Sequence, residues 1–235
     1  MGDQSRPSTI ELPPTFGLVA GLGVGAGIFY YRSLVDAHRA LGLTPNLLMV
    51  HADVRRVMAH AAARETRELA AYLNSLLHQL AGAGAQIATI PAFTPQICAR
   101  ELAEIAPLPL IDLLDAIVAE VHRREVKRLA IFGARVTLET KLFGRLEGVD
   151  VVTPTASEMD TICGIYQRIL EKERATPEEY ATLRGLAHTL IERENLDAIL
   201  LAGTDFSFVF TPETTDFPHI DGARTHIDAI MRRLY

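Results

Sequence analysis

Two short apolar runs, Gln86 to Ile90 and Ala198 to Leu201, each break into a turn of small residues that carries a threonine. The first turn reads Pro91-Ala92-Phe93-Thr94-Pro95, and the second reads Ala202-Gly203-Thr204-Asp205-Phe206. A brief apolar run closed by turn signals is the pattern of a strand buried on both faces. In an open α/β sheet the exit from the carboxyl end of such a strand is where ligands bind, because backbone N–H groups and the next helix start there. Two such exits, in opposite halves of one chain, predict an α/β protein of two Rossmann-like lobes with mainly parallel sheets. The expected site for a small molecule is the cleft between the lobes.

The rest of the chain fits that frame. Residues 1–15 are polar and carry Pro7, Pro13 and Pro14, which reads as a loose arm. An N-terminal lobe is expected over residues 16–108 and a C-terminal lobe over 109–212, with Pro107 and Pro109 at the junction and the tail 213–235 returning to the first lobe. Phe16 to Ala20 is a strand that runs into Gly21-Leu22-Gly23-Val24-Gly25-Ala26. That turn has the form of a dinucleotide fingerprint, but the acidic residue required about 20 positions on is misplaced: the next strand, Leu47 to Val50, ends in His51 and only then reaches Asp53. No NAD or NADP binding is therefore expected, and an oxidoreductase is the third choice of function.

Composition excludes several classes. The chain has 235 residues, 49% of them hydrophobic, enough for a sizeable core. Its net charge of −6, with no basic block, argues against a nucleic-acid partner. No apolar stretch is long enough to span a membrane and the start lacks the layout of a signal peptide, so a cytoplasmic protein is expected. Its two cysteines, Cys98 and Cys163, have no metal-ligand spacing; neither a metal nor a disulfide is expected. Cys98 sits one turn into a helix beyond the first site turn, where it is either a packed residue or a displaced reactive thiol.

The two turns, the glycine-rich opening, the stretch Gly133-Ala134-Arg135-Val136-Thr137-Leu138-Glu139 and the tail segment Asp221 to Ala229 occur in the order and spacing of a known family. The chain resembles the cofactor-independent aspartate/glutamate racemase superfamily. In that family the site turns typically read Pro-Cys-Asn-Thr and Gly-Cys-Thr-Glu, and the opening reads Gly-Gly-Met-Gly-Pro-Glu-Ala-Thr, matched here at Gly21, Gly23, Ala26, Tyr31 and Arg32. Arg135, Thr137 and Glu139 match a third motif, and Asp221, Arg224, His226 and Ala229 match a closing one. The resemblance implies a small carboxylate or carbonyl substrate, no cofactor and a homodimer.

The family's two cysteines are its catalytic acid and base, and here those positions hold Ala92 and Gly203. Neither residue can take or give a proton, so two-thiol racemisation is not expected. What the resemblance leaves is a carboxylate cradle, with Gly23, Ala92, Phe93, Thr94, Thr137, Gly203, Thr204 and His226 as binding residues. Thr94 and Thr204 could alternatively only cap the helical turns they open. His51, whose residue type commonly serves as acid or base, Asp205 and Glu139 are the candidate catalytic groups. Phe93, where the family has asparagine, is expected to make the pocket apolar and so raise the pKa of a neighbouring carboxyl. The expected function is an isomerase or lyase working by isomerisation, cyclisation or decarboxylation next to a carboxylate or carbonyl. The alternative is a non-catalytic carboxylate-binding relative.

Overall fold

The computed structural model describes residues 13–235, so most of the expected N-terminal arm lies outside the described residues. The chain begins with β1 (Phe16–Ala20), buried at every position, and α1 (Val24–Ala40), followed by β2 (Leu47–His51). Asp53 opens α2 (Val54–Ala63) as its N-cap, its carboxylate accepting from the N–H of Arg55 at 2.9 Å. Then come α3 (Thr66–Gly82), β3 (Ile87–Thr89), a 3-10 turn over Thr94–Cys98, and α4 (Ala99–Ile105). These strands form a parallel sheet in the order β2-β1-β3. Leu110 adds a single parallel bridge to Ala88, so the first sheet extends past the expected boundary at residue 108.

The second sheet follows α5 (Leu113–Arg123). It contains β4 (Arg128–Gly133), then α6 (Arg135–Glu139), β5 (Asp150–Val152), α7 (Ala156–Lys172), α8 (Pro177–Glu194) and β6 (Ala198–Ala202). A second 3-10 turn, Thr204–Phe208, leads to β7 (His219–Asp221) and α9 (Gly222–Leu234). All strand pairs are parallel, in the order β5-β4-β6-β7. The tail is thus divided: β7 extends the second sheet, while Ala223, Ile227, Ile230 and Leu234 of α9 pack with Phe16, Leu18, Tyr30 and Leu34 of the first.

Helix α7 shows why local sequence forms what it does. Thr155 and Glu158 make a reciprocal capping box at its start, and Glu173 ends it in the left-handed conformation. Between them Met159, Ile162, Ile165, Tyr166 and Ile169 recur at helical spacing and form its buried face. They join the large core around Leu129, Ile131, Phe132, Leu200 and Leu201.

Candidate active site

Strand order reverses between β1 and β3 in one sheet and between β4 and β6 in the other. A crevice forms at such switch points, because the connections on either side leave toward opposite faces of the sheet. The exits of these four strands supply Leu22, Ala92, Phe93, Thr94, Ala134 and Thr204, and all six line one small chamber of about 30 Å³. Val54, Val57 and Met58 from α2, Pro95, and Tyr166, Gln167 and Leu170 from α7 complete its wall. A larger groove of about 390 Å³ lies outside it, lined in part by Arg64, Arg135, Glu139 and Cys163. The chamber and the groove share Met58, Thr94, Ala134, Tyr166 and Gln167.

Thr94 and Thr204 are the first residues of their 3-10 turns, and the caps are Phe93 and Gly203, neither of which makes a side-chain capping bond. Capping is therefore not the role of these threonines. Phe93 is buried and packs into the core of the second sheet; a Cβ on Gly222 would lie 2.6 Å from its Cζ. The aromatic ring thus spans from the first sheet's turn to the foot of α9.

Gly203 has a neighbour that the chain's local pattern does not announce. A Cβ placed there would lie 2.6 Å from Cζ and 3.0 Å from the hydroxyl oxygen of Tyr166, distances that a real side chain does not tolerate. The Tyr166 ring fills the room a side chain at 203 would need. Its hydroxyl stands 3.5 Å from Oδ2 of Asp205, and both residues are buried. Burial, followed by the charge of Asp205, pushes the phenol well above its ordinary value. The Asp205 carboxyl is itself raised to about 6, chiefly by burial, with the charge of Glu173 adding to it. The Tyr166 hydroxyl and the nearby backbone N–H groups of Asp205 itself and of Ala26 work in the opposite direction.

Asp205 also explains the glycine-rich turn. Gly23 has φ 146°, and a Cβ there would meet the two carboxylate oxygens of Asp205 at 3.3 and 3.4 Å. The start of α1 thus already faces an internal anion, where a nucleotide's pyrophosphate would have to sit. Gly23 serves this close approach and is not among the residues lining the chamber.

Several expected site residues lie elsewhere. His51 ends the edge strand β2, away from the switch point. The two-residue period of a strand puts it on the same face as Met49, and both line a separate exposed depression with Gly21, Val24, Ile28 and Tyr31. Glu139 borders the outer groove rather than the chamber and lies 3.6 Å from Arg135 in an ion pair. Thr137 is fully buried, and its hydroxyl has no partner. His226 is a core residue: Nδ1 lies 3.0 Å from the Tyr30 hydroxyl, and Nε2 lies 3.1 Å from Thr89 Oγ1 and 3.2 Å from the Ile111 carbonyl. Burial lowers its pKa to about 4. A neutral imidazole donating from Nε2–H to Ile111 and accepting the Tyr30 proton at Nδ1 satisfies this network. The match of His226 to a family motif therefore reflects bracing of α9, not substrate contact.

Of the thiols, Cys98 is fully buried with Sγ 3.1 Å from the Pro95 carbonyl, and burial raises it to about 12. It is packed and cannot supply a thiolate. Cys163 is half-buried on the outer groove, and burial raises its pKa as well. Tyr166 is the functional candidate that sequence reasoning missed. Its place in an apolar helical stripe reads as core, although a buried tyrosine hydroxyl ordinarily seeks a partner, and a glycine at a site turn signals a close neighbour.

The chain matches the Asp/Glu/Hydantoin racemase family over residues 19–230. Among solved structures, a provisionally assigned Asp/Glu racemase from Yersinia pestis superposes with a TM-score of 0.81 at 20% identity, covering 94% of this chain and 99% of that one. An aspartate racemase homologue from Pyrococcus horikoshii OT3 gives a TM-score of 0.78 at 18% identity, covering 94% and 99%. An arylmalonate decarboxylase gives 0.50 at 16% identity, covering 93% and 92%. Among curated proteins none matches the chain. At such identities the structural likeness is one of fold, but the match of the family across nearly the whole sequence is decisive: the chain belongs to the Asp/Glu/hydantoin racemase family.

Proposed function

We propose that this protein is a cofactor-independent enzyme that generates a carbanion next to a carboxylate or carbonyl and protonates it from one face only, as in decarboxylation. One observation carries the reading. Tyr166 is the one ionisable side chain lining the inner chamber among the described residues, with Asp205 behind it, and the wall contributed by Leu22, Ala92, Phe93, Val54, Val57 and Met58 is apolar. Racemisation needs an acid and a base on opposite faces of one carbon. With a proton-transfer group on one side only, bond cleavage followed by protonation is still served.

In this reading Thr94 and Thr204 hold a substrate carboxylate by hydrogen bonds from opposite lobes. A second carboxylate against the apolar wall has lost solvation, which favours its departure as neutral carbon dioxide. Hydrogen-bond donors at the cradle stabilise the enolate-like charge left behind. Isomerisation and cyclisation that use one face are served by the same wall. The similarity of fold to an arylmalonate decarboxylase is compatible with this chemistry. The proposed setting is the cytoplasm. The proposed assembly is a homodimer, for which the exposed apolar side chains Val24, Ile28, Tyr31 and Met49 offer a contact surface.

A second reading, a carboxylate-binding protein without turnover, is favoured by the size of the inner chamber. About 30 Å³ corresponds to roughly one water molecule, so a substrate carbon enters only if α2 and α7 separate. The deciding experiment incubates the full chain in D2O with substituted malonates, aspartate and glutamate, followed by NMR. Carbon dioxide release with deuterium retained at the product carbon is the expected result. Interconversion of aspartate or glutamate enantiomers would defeat the one-face reading. Binding without turnover of any compound would leave the non-catalytic one.

A further inference from the structure

We infer that the hydroxyl of Tyr166 is the catalytic proton donor of this cleft, standing where a side chain at position 203 would otherwise stand and relayed by Asp205. The inference rests on the reading of the cleft as a one-face enzyme and names the group that does the work. It begins with space. The Tyr166 hydroxyl oxygen lies 3.0 Å from the point a Cβ on residue 203 would occupy. A reactive group on a short side chain at 203 and the Tyr166 hydroxyl therefore address nearly the same place, and the ring makes the two mutually exclusive. Gly203 and Tyr166 belong together as a pair: the glycine is what allows the tyrosine in.

Access comes next. Tyr166 lines both the chamber and the outer groove, and its ring packs at a tilt of 43° against Phe206, with centroids 4.9 Å apart. Asp205 is less accessible. It is 1% exposed, is absent from the chamber wall and has Oδ1 without a hydrogen-bond partner. The charged or titratable neighbours of Asp205 are Tyr166 and Glu173 on and just after α7, while from α1 it faces backbone amides at Gly23 to Ala26. A carboxyl so placed exchanges protons with Tyr166 and does not touch substrate, which makes it a positioning and relay residue.

The step balances. The bond from the substrate carbon to the departing carboxylate breaks, and its electron pair stays on carbon. The Tyr166 O–H gives its proton to that carbon, forming a C–H bond and a phenolate. The phenolate then takes the proton of the Asp205 carboxyl, and Asp205 regains a proton from solvent in the outer groove by way of Tyr166, which lines that groove while Asp205 does not. A phenol held above its ordinary pKa keeps its proton at neutral pH, and a carboxyl near 6 can cycle between its two forms there.

The test uses the full chain and a prochiral α-aryl-α-methylmalonate in D2O, or whichever compound of the panel above wild type turns over. Wild type is expected to give one enantiomer carrying deuterium. Tyr166→Phe, which keeps the ring over Gly203 and hence the fold, should lower kcat by about 10²- to 10⁴-fold, as loss of a positioned acid does, with KM nearly unchanged. Asp205→Asn should remove the limb of the wild-type pH–kcat profile that lies near 6. A Tyr166→Phe protein with kcat within about tenfold of wild type, or a racemic product from wild type, would overturn the assignment while leaving an active enzyme. Failure of wild type to turn over any compound would overturn both this assignment and the function it rests on.

Discussion

Tyr166 lies across Gly203 so closely that no residue with a Cβ fits at position 203 while the ring keeps its place. The two residues are on different elements, α7 and the exit of β6, and their contact joins the helix to the turn at the centre of the cleft. Replacing Gly203 by alanine is therefore expected to destabilise the fold by about 1–3 kcal/mol, the usual cost of overpacking. The cost should largely vanish when Tyr166→Ala is combined with it, and a double-mutant cycle in urea measures that coupling. The thiol pair Ala92→Cys with Gly203→Cys should not produce an efficient racemase, because Tyr166 blocks the second sulfur; additive effects in the cycle would show that the ring moves aside freely.

Asp205 should make stability fall as pH rises. Its folded pKa of about 6 lies above the ordinary 3.8, so between those values the folded state binds more protons than the unfolded state. Its contribution is fully present below about 4 and lost as pH rises through about 6. Asp205→Asn should remove this slope and gain on wild type at pH 8 relative to pH 4, as read from denaturation midpoints at the two values.

His226 works in the opposite sense. Its folded pKa, about 4, is below the ordinary 6.5, so the unfolded state binds more protons between them, and stability present above about 6.5 is lost as pH falls toward 4. His226→Phe should abolish that dependence. It should also cost about 1–3 kcal/mol for the buried Tyr30 hydroxyl left unsatisfied, whereas the Ile111 carbonyl keeps its hydrogen bond from Thr89 Oγ1. Turnover per folded molecule should persist, because the imidazole does not line the cleft; loss of turnover in a stably folded variant would return His226 to the site.

The cysteines should differ toward thiol reagents. Cys163, on the outer groove, should label in the native protein, and a bulky label there should impair ligand binding by filling the groove. Cys98 should label only on unfolding, since it is fully buried and held near 12. Replacing both by serine should leave turnover intact, with some loss of stability from the buried position 98; loss of turnover on Cys163→Ser alone would mean that the outer thiol participates.

Much of this molecule is legible along the chain. The short apolar runs with small-residue exits, the alternation of strands and helices and the absence of thiols at 92 and 203 are local properties, set by two- and 3.6-residue periods and by which side chains carry a proton. They suffice for a parallel α/β fold whose turns bring Ala92, Thr94 and Thr204 to one chamber, and for the expectation that two-thiol chemistry is not the protein's own. Which face of a strand meets the site is not local. His51 ends a strand just as the site turns end theirs, but the sheet order places β2 at an edge and so carries the histidine away. His226 and Glu139 keep their motif positions, yet packing draws one into the core and leaves the other on the outer groove. Tyr166 reads along α7 as one more core residue, because helical periodicity states which side is buried and not what it is buried against. Only the docking of α7 over the β6 exit sets its hydroxyl beside Asp205, since a contact between residues 39 positions apart is decided by how elements pack and not by the sequence of either one.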